Sequence, residues 1–180
     1  MWEVSQPEPV KLIFGILAAD EEGLEAGRHQ ITEHFGESDL ESQVWPFTQT
    51  SYYKDELGEN VLRQFISISE LIDPGELAEI KHTSNRIEME LAENIGGKLP
   101  RPVNIDPGII EPSKLVLAST KNFSHRIYIG DRMYAELTLS YCRGTWQSFS
   151  YTFPDYKEDR YHGFFSEVRD KLVEQIRNNS

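Results

Sequence analysis

Nine side chains in the middle of this 180-residue chain are of the types that hold anions or move protons. Lys81, Asn85 and Glu88 recur at steps of four and three, so at about 100° per residue they form one stripe of a helix. Arg101, Asn104 and Asp106 follow, and the last two share a face if a strand runs that far. Lys121, His125 and Arg126, with Lys114 before them, are the one basic concentration in an acidic chain. These types can recognise a small anion such as a phosphorylated metabolite or nucleotide. Lys121, Arg126 and Lys81 would meet its charge, Arg126 as a planar fork on phosphate or carboxylate. Asn85 and Asn104 would orient it, with Glu88 and Arg101 completing the binding set. Asp106 and His125 can exchange a proton in hydrolysis or transfer, provided they lie within hydrogen-bond reach directly or through one water.

Each group also has a plainer reading. Lys81 and Glu88 can be a solvated pair, and Asp106-Pro107-Gly108 a turn with proline and glycine in their usual roles. Strand alternation puts His125 with Phe123, Ile127 and Ile129 on an apolar side, where it is a satisfied core histidine or a shielded acid–base group. Arg126 can be a surface ion pair worth little. Metal chemistry has no support: His29, His34, His82, His125 and His162 are scattered, with no ligand spacing, so no metal site is expected. Neither familiar phosphate cradle is present, and no cofactor is indicated.

Composition narrows the classes further. A net charge of -12 argues against general nucleic-acid binding, which needs a basic face to displace counterions, and against anionic membranes. Cys142 is the single cysteine, so neither an internal disulfide nor a thiolate cage can form. No apolar stretch approaches the ~20 residues that span a bilayer. A cytoplasmic protein is expected.

The elements that must position the nine residues are legible from periodicity. A loose arm over 1–9 precedes a strand at Val10–Ala19 whose two faces are both apolar, so it should be covered from both sides. Gly15 within it permits close packing. Asp20 caps a helix carrying Leu24, Ile31 and Phe35, which Gly36 stops. Ser42–Tyr53 reads as a strand pushed to a sheet edge by Pro46, Asp55–Gly58 as a turn, and Val61–Ser69 as the third strand. Asp73-Pro74-Gly75-Glu76 opens a second helix, with Leu77, Ile80, Ser84, Ile87, Leu91 and Ile95 on one face and Gly96-Gly97 as its stop. Arg101–Ile105 is the fourth strand.

That β-α-β-β-α-β order predicts an α+β fold with a ferredoxin-like split βαβ core. An antiparallel meander extends it through Leu115–Ser119, Phe123–Ile129, Met133–Tyr141 and Trp146–Phe153. A last helix buries Tyr161, Phe164, Phe165, Val168, Leu172 and Ile176. With no repeat or linker, 1–180 is expected to be a single domain. Tyr52-Tyr53 and the stretch Tyr151–Tyr156 can line a pocket or serve as hinge packing.

The runs "PVKLIFGILAAD", "FTQTSYYKDELG", "KHTSNRIE", "VNIDPG", "LVLASTKNFSHRIYIG" and "YTFPDY" resemble the prokaryotic domain-of-unknown-function family 4416, from about Pro9 to the final helix. The resemblance implies no activity. It centres on Lys81, Asn85, Glu88, Asn104, Asp106, Lys121, His125 and Arg126. It implies an aspartate just before the two tyrosines, where this chain has Ser51. Two functions follow as expectations: a small-anion-binding protein, with hydrolysis or transfer as its catalytic form, or a non-catalytic protein–protein interaction module.

Overall fold

The structure, a computed structural model, describes residues 3–48, 54–58, 60–96 and 99–179. In chain order its elements are β1 (Val10–Ala18), α1 (Glu21–Phe35), β2 (Ser38–Glu41), β3 (Trp45–Pro46), α2 (Lys54–Leu57), β4 (Leu62–Ile72), α3 (Leu77–Ile95), β5 (Val103–Glu111), β6 (Lys114–Ser119), β7 (Arg126–Gly130), β8 (Met133–Cys142), β9 (Thr145–Ser148) and α4 (Asp159–Asn179). Among the described residues the strands form one sheet in the order β2-β4-β1-β5-β6-β8-β7, with β3 on β4 and β9 on β8. Every neighbouring pair runs antiparallel. The fold is therefore α+β, built on an antiparallel sheet and three long helices. No helix among the described residues is long and apolar enough to cross a membrane.

The expected double-sided cover of the first strand is present. One face of β1 sends Leu12, Phe14, Ile16 and Ala18 against Leu24 and Ile31 of α1 and Ile80, Ile87 and Leu91 of α3. Ile13, on the other face, meets Phe65 and the Tyr161, Phe164, Phe165 and Val168 stripe of α4. Local signals set the helix ends. Asp20 accepts from the Gly23 N–H to start α1, and Asp73 and Glu76 form a reciprocal capping box ahead of α3.

Several expected boundaries move. Asp55–Gly58 is not a turn, since Lys54–Leu57 forms the single helical turn α2. The second strand begins earlier than Ser42, as β2 at Ser38–Glu41, and continues as the short β3; its expected end at 49–53, with Ser51 and Tyr52-Tyr53, lies outside the described residues, as does Gly97. The last strand stops at Ser148, because Thr152 turns the chain by accepting the Phe149 N–H. The strand expected at Phe123–Ile129 is β7, starting only at Arg126, and as the last strand of the sheet it pairs on one side only, with β8. Phe123, Ile127 and Tyr128 are 64, 73 and 59% exposed, so the apolar side assigned to His125 is not a core.

The Asn-Ile-Asp-Pro-Gly segment is likewise no turn. It lies inside β5, paired with β1 residue by residue from Val103 to Ile110. Its other edge is only half paired: β6 joins β5 from Glu111↔Lys114 to Gly108↔Leu117 and no further. Backbone groups two residues apart point the same way along a strand, so Pro107 presents its missing N–H on that outer edge, where the ladder ends. Gly108 allows the final close approach, since a Cβ there would stand 2.6 Å from Leu117 Cδ2 and 2.8 Å from the Val116 carbonyl. Beyond this point β6 stays with β8 and the sheet splits.

Gly15, paired with Asp106, faces the turn before α4 and the side chains of β4. A Cβ on it would sit 2.9 Å from Tyr156 Oη and 3.0 Å from both Arg63 Nη1 and Phe65 Cε1. A Cβ on Gly163, in α4, would meet nothing within 4 Å beyond its own helix backbone among the described residues. Gly15→Ala should therefore lower the unfolding free energy by about 1–3 kcal/mol through overpacking, while Gly163→Ala raises it by up to ~1 kcal/mol. Urea unfolding of the two variants checks the contrast, and equal stability of both would contradict it.

Candidate functional site

A cavity of about 320 Å³ occupies the split between β5 and β6. Its first wall arises from a backbone need. Ile105 turns its N–H and C=O towards the edge that β6 has left, and α3 supplies both partners. Glu88 Oε1 accepts the Ile105 N–H at 2.7 Å, and Lys81 Nζ donates to the Ile105 carbonyl at 3.1 Å. Each buried charge then takes a counter-charge. Arg101 donates from Nη2 and Nε to Glu88 Oε2 at 2.5 and 2.8 Å, and Lys81 reaches Asp106 Oδ1 at 3.3 Å. Asn104 donates to Asp106 Oδ2 at 2.6 Å, and Arg101 also reaches Glu56 at 3.4 Å. Asn85 stands beside Lys81 with no side-chain hydrogen bond among the described residues.

The opposite wall is the end of β6 and the corner after it: Leu117, Ala118, Ser119, Thr120 and Lys121. Arg126 braces this corner, donating from Nη1 to the Lys121 carbonyl at 3.0 Å and from Nε to Glu136 Oε2 at 2.8 Å. Its Nη2 has no partner among the described residues. Glu136, nearly buried on β8, also accepts from His125 Nε2 at 3.0 Å, and the His125 ring stacks on Tyr151 at 4.2 Å between centroids.

At the floor of the cleft, which Arg63 itself lines, is a buried ion pair. Arg63 Nη2 donates to Asp155 Oδ2 at 2.6 Å, with the two side chains 2 and 0% exposed. The guanidinium carbon lies 5.2 to 5.7 Å from the ring centres of Phe47, Phe65 and Tyr156. Its Nε and Nη1 meet no acceptor among the described residues, so those rings are its surroundings, as a weakly hydrated guanidinium permits. Asp155 sits between Phe153 and Tyr156, both of which line the cavity.

Electrostatics separate the carboxylates. Burial alone would raise the Asp106 carboxyl, but Lys81 and Arg63, then Asn104 and Arg101, outweigh it and hold it below the ordinary 3.8. Burial pushes Glu88 up from its ordinary 4.5 against the pull of Lys81 and Arg101.

Of the nine residues singled out, Lys81, Asn85, Arg101, Asn104, Asp106, Lys121 and Arg126 line this one cavity. Glu88 and His125 do not; each stands behind a lining residue, Glu88 behind Arg101 and His125 behind Glu136. Lys81 and Glu88 are not a solvated pair, being 4 and 6% exposed. His125 is directed to Glu136 rather than to Asp106. Lys114 pairs with Glu111. Sequence reasoning missed Arg63, Glu136 and Asp155. Arg63 and Glu136 each carried a signal, as a charge within an apolar strand stretch.

A sequence model of a family described as a domain of unknown function (DUF4416) matches residues 8–172, and the chain belongs to that family. No curated protein and no solved structure matches it.

Two outcomes follow from the charges. Asp106 has a lowered folded value, so its contribution to stability is present above pH 3.8 and is lost as pH falls through that lower value. Unfolding measured from pH 6 downwards (~pH 2 as the lower limit) should show a shallower acid limb in Asp106→Asn than in the parent; identical limbs would contradict it. Asp155→Ala, which strands the Arg63 charge, should destabilise by about 3–5 kcal/mol, and a double replacement of the pair by apolar residues by less.

Proposed function

We propose that this member of the DUF4416 family binds a small anionic ligand, a phosphorylated metabolite or nucleotide, in the cleft between β5 and β6. The observation that carries this reading is the convergence of Lys81, Arg101, Lys121 and Arg126, from four separate segments of an acidic chain, on one concave site. Lys121 is exposed at the corner after β6 and Arg126 keeps one guanidinium nitrogen for a ligand, so these two would meet the charge. Ser119 and Thr120 add hydroxyls beside them.

A hydrolase or transferase form has less support. His125 Nε2 is engaged by Glu136, and the cations around Asp106 make its carboxylate a weak base. The strand order β2-β4-β1-β5, with α1 and α3 packed on one face, supports reading the core as a ferredoxin-like split βαβ unit extended by β6–β9 and α4. The lone, exposed Cys142 suits a reducing setting such as the cytoplasm. A second function, a protein-interaction module, rests on the exposed apolar side chains of the edge strand β7.

The test is thermal unfolding against rising concentrations of inorganic phosphate and adenosine monophosphate at constant ionic strength. A ligand of the folded state stabilises by ~2.7 kcal/mol at a hundred times its dissociation constant. The melting temperature should climb with ligand in the parent and stay level in Lys121→Ala and Arg126→Ala. No climb in the parent, or an equal climb in both variants, would turn the assignment towards the β7 surface.

A further inference from the structure

The cleft is chemically two-ended. At the β6 corner stand Lys121 and Arg126; facing them across it are Asn85, Asn104 and Asp106. The Asp106 carboxylate only accepts hydrogen bonds and cannot donate to phosphoryl oxygens, so the ligand's phosphoryl group belongs at the corner and something else must meet the carboxylate. Of the roughly four acceptor positions of a carboxylate, Lys81 and Asn104 occupy one on each oxygen of Asp106. The rest remain, on a side chain 29% exposed to the cleft. Asn85 keeps its whole amide, and Asn104 keeps its carbonyl oxygen, without a partner among the described residues.

Resting on the anion-binding reading above, we propose that this end is a hydroxyl-reading subsite and that the ligand is a monophosphorylated sugar or similar polyol. Two adjacent hydroxyls can donate to the two oxygens of Asp106, while the amides of Asn85 and Asn104 accept from or donate to a third. An ammonium group fits less well. The charge of Asp106 is already matched by Lys81 at 3.3 Å, so an arriving cation meets a like charge, whereas a hydroxyl donates without bringing one. Size agrees: a cavity of about 320 Å³ is at the small end of the ~300–1,000 Å³ of ligand sites, enough for one sugar phosphate and not for a dinucleotide. Phe153, 36% exposed at the rim, offers an apolar face for the C–H side of a sugar ring.

Isothermal titration of the full chain with ribose 5-phosphate, glucose 6-phosphate, methyl phosphate and O-phosphoethanolamine separates the alternatives. The tighter of the two sugar phosphates should bind about tenfold or more above methyl phosphate, as two new hydrogen bonds to a charged group predict. O-phosphoethanolamine should gain nothing over methyl phosphate. In Asn85→Ala, which loses no side-chain hydrogen bond among the described residues and should fold normally, and in Asp106→Asn, the sugar-to-methyl affinity ratio should fall towards one. Sugar and methyl phosphates binding alike in the parent, the aminoalkyl phosphate binding tightest, or an unchanged ratio in both variants would overturn the subsite while leaving the anion site standing. Failure of all four to bind would overturn both.

Discussion

Ile105 has a buried N–H and C=O on the edge of β5 that β6 abandons, and leaving such groups unpaired costs about 1–3 kcal/mol each. Their satisfaction organises the site. Glu88 and Lys81 reach across from α3 to supply the missing ladder partners, which fixes the helix against this edge and buries two opposite charges. Those charges need neutralising in turn, and Arg101 and Asp106 do it. The polar set that looks designed for a ligand thus begins as the repair of a broken ladder. What distinguishes it from repair alone is the capacity left over: Asp106, Asn104 and Asn85 retain hydrogen-bonding positions that open onto the cleft.

The break itself is written into the chain. Pro107 removes the donor that β6 would need to continue, and Gly108 lets the last cross-strand pair come close. The β6-β8-β7 half of the sheet then departs with its own contents, carrying Lys121, Arg126 and Glu136 to the far side of the cleft. At the floor of the gap, the Arg63–Asp155 pair ties β4 to the turn bearing Phe153 and Tyr156. Buried pairs of this kind add little net stability compared with apolar packing; holding two lining rings in place is a role that such directional contact serves better than packing does.

How much of this could be read from residues alone varied with the kind of signal. The stripe of α3 was legible because a 3.6-residue period fixes a face, and its apolar neighbours then fix where that face points. Asn104 and Asp106 were legible as co-facing only if the strand continued, and the Pro-Gly pair argued locally for a turn. Pairing with β1 along the whole of β5 overrode that local preference. The neighbours of Arg63 and Glu136 were not legible, since alternation in a strand assigns a side of the sheet and not a partner across it. Nor was the exposure of β7: alternation reads the same in a central strand and at the sheet's edge, and the apolar residues of β7 suggested cover that the edge position does not provide.

The central claim is that the cleft where the sheet splits is the place where an anion binds. Amide chemical shifts followed during titration of the isotopically labelled protein with methyl phosphate test it most directly, because they report location without presuming a reaction. The account predicts saturating shifts confined to Ser119–Lys121, Arg126 and the facing 104–106 and 81–85 stretches. Shifts gathered on the outer edge of β7 or spread over the surface, with the cleft silent, would contradict it.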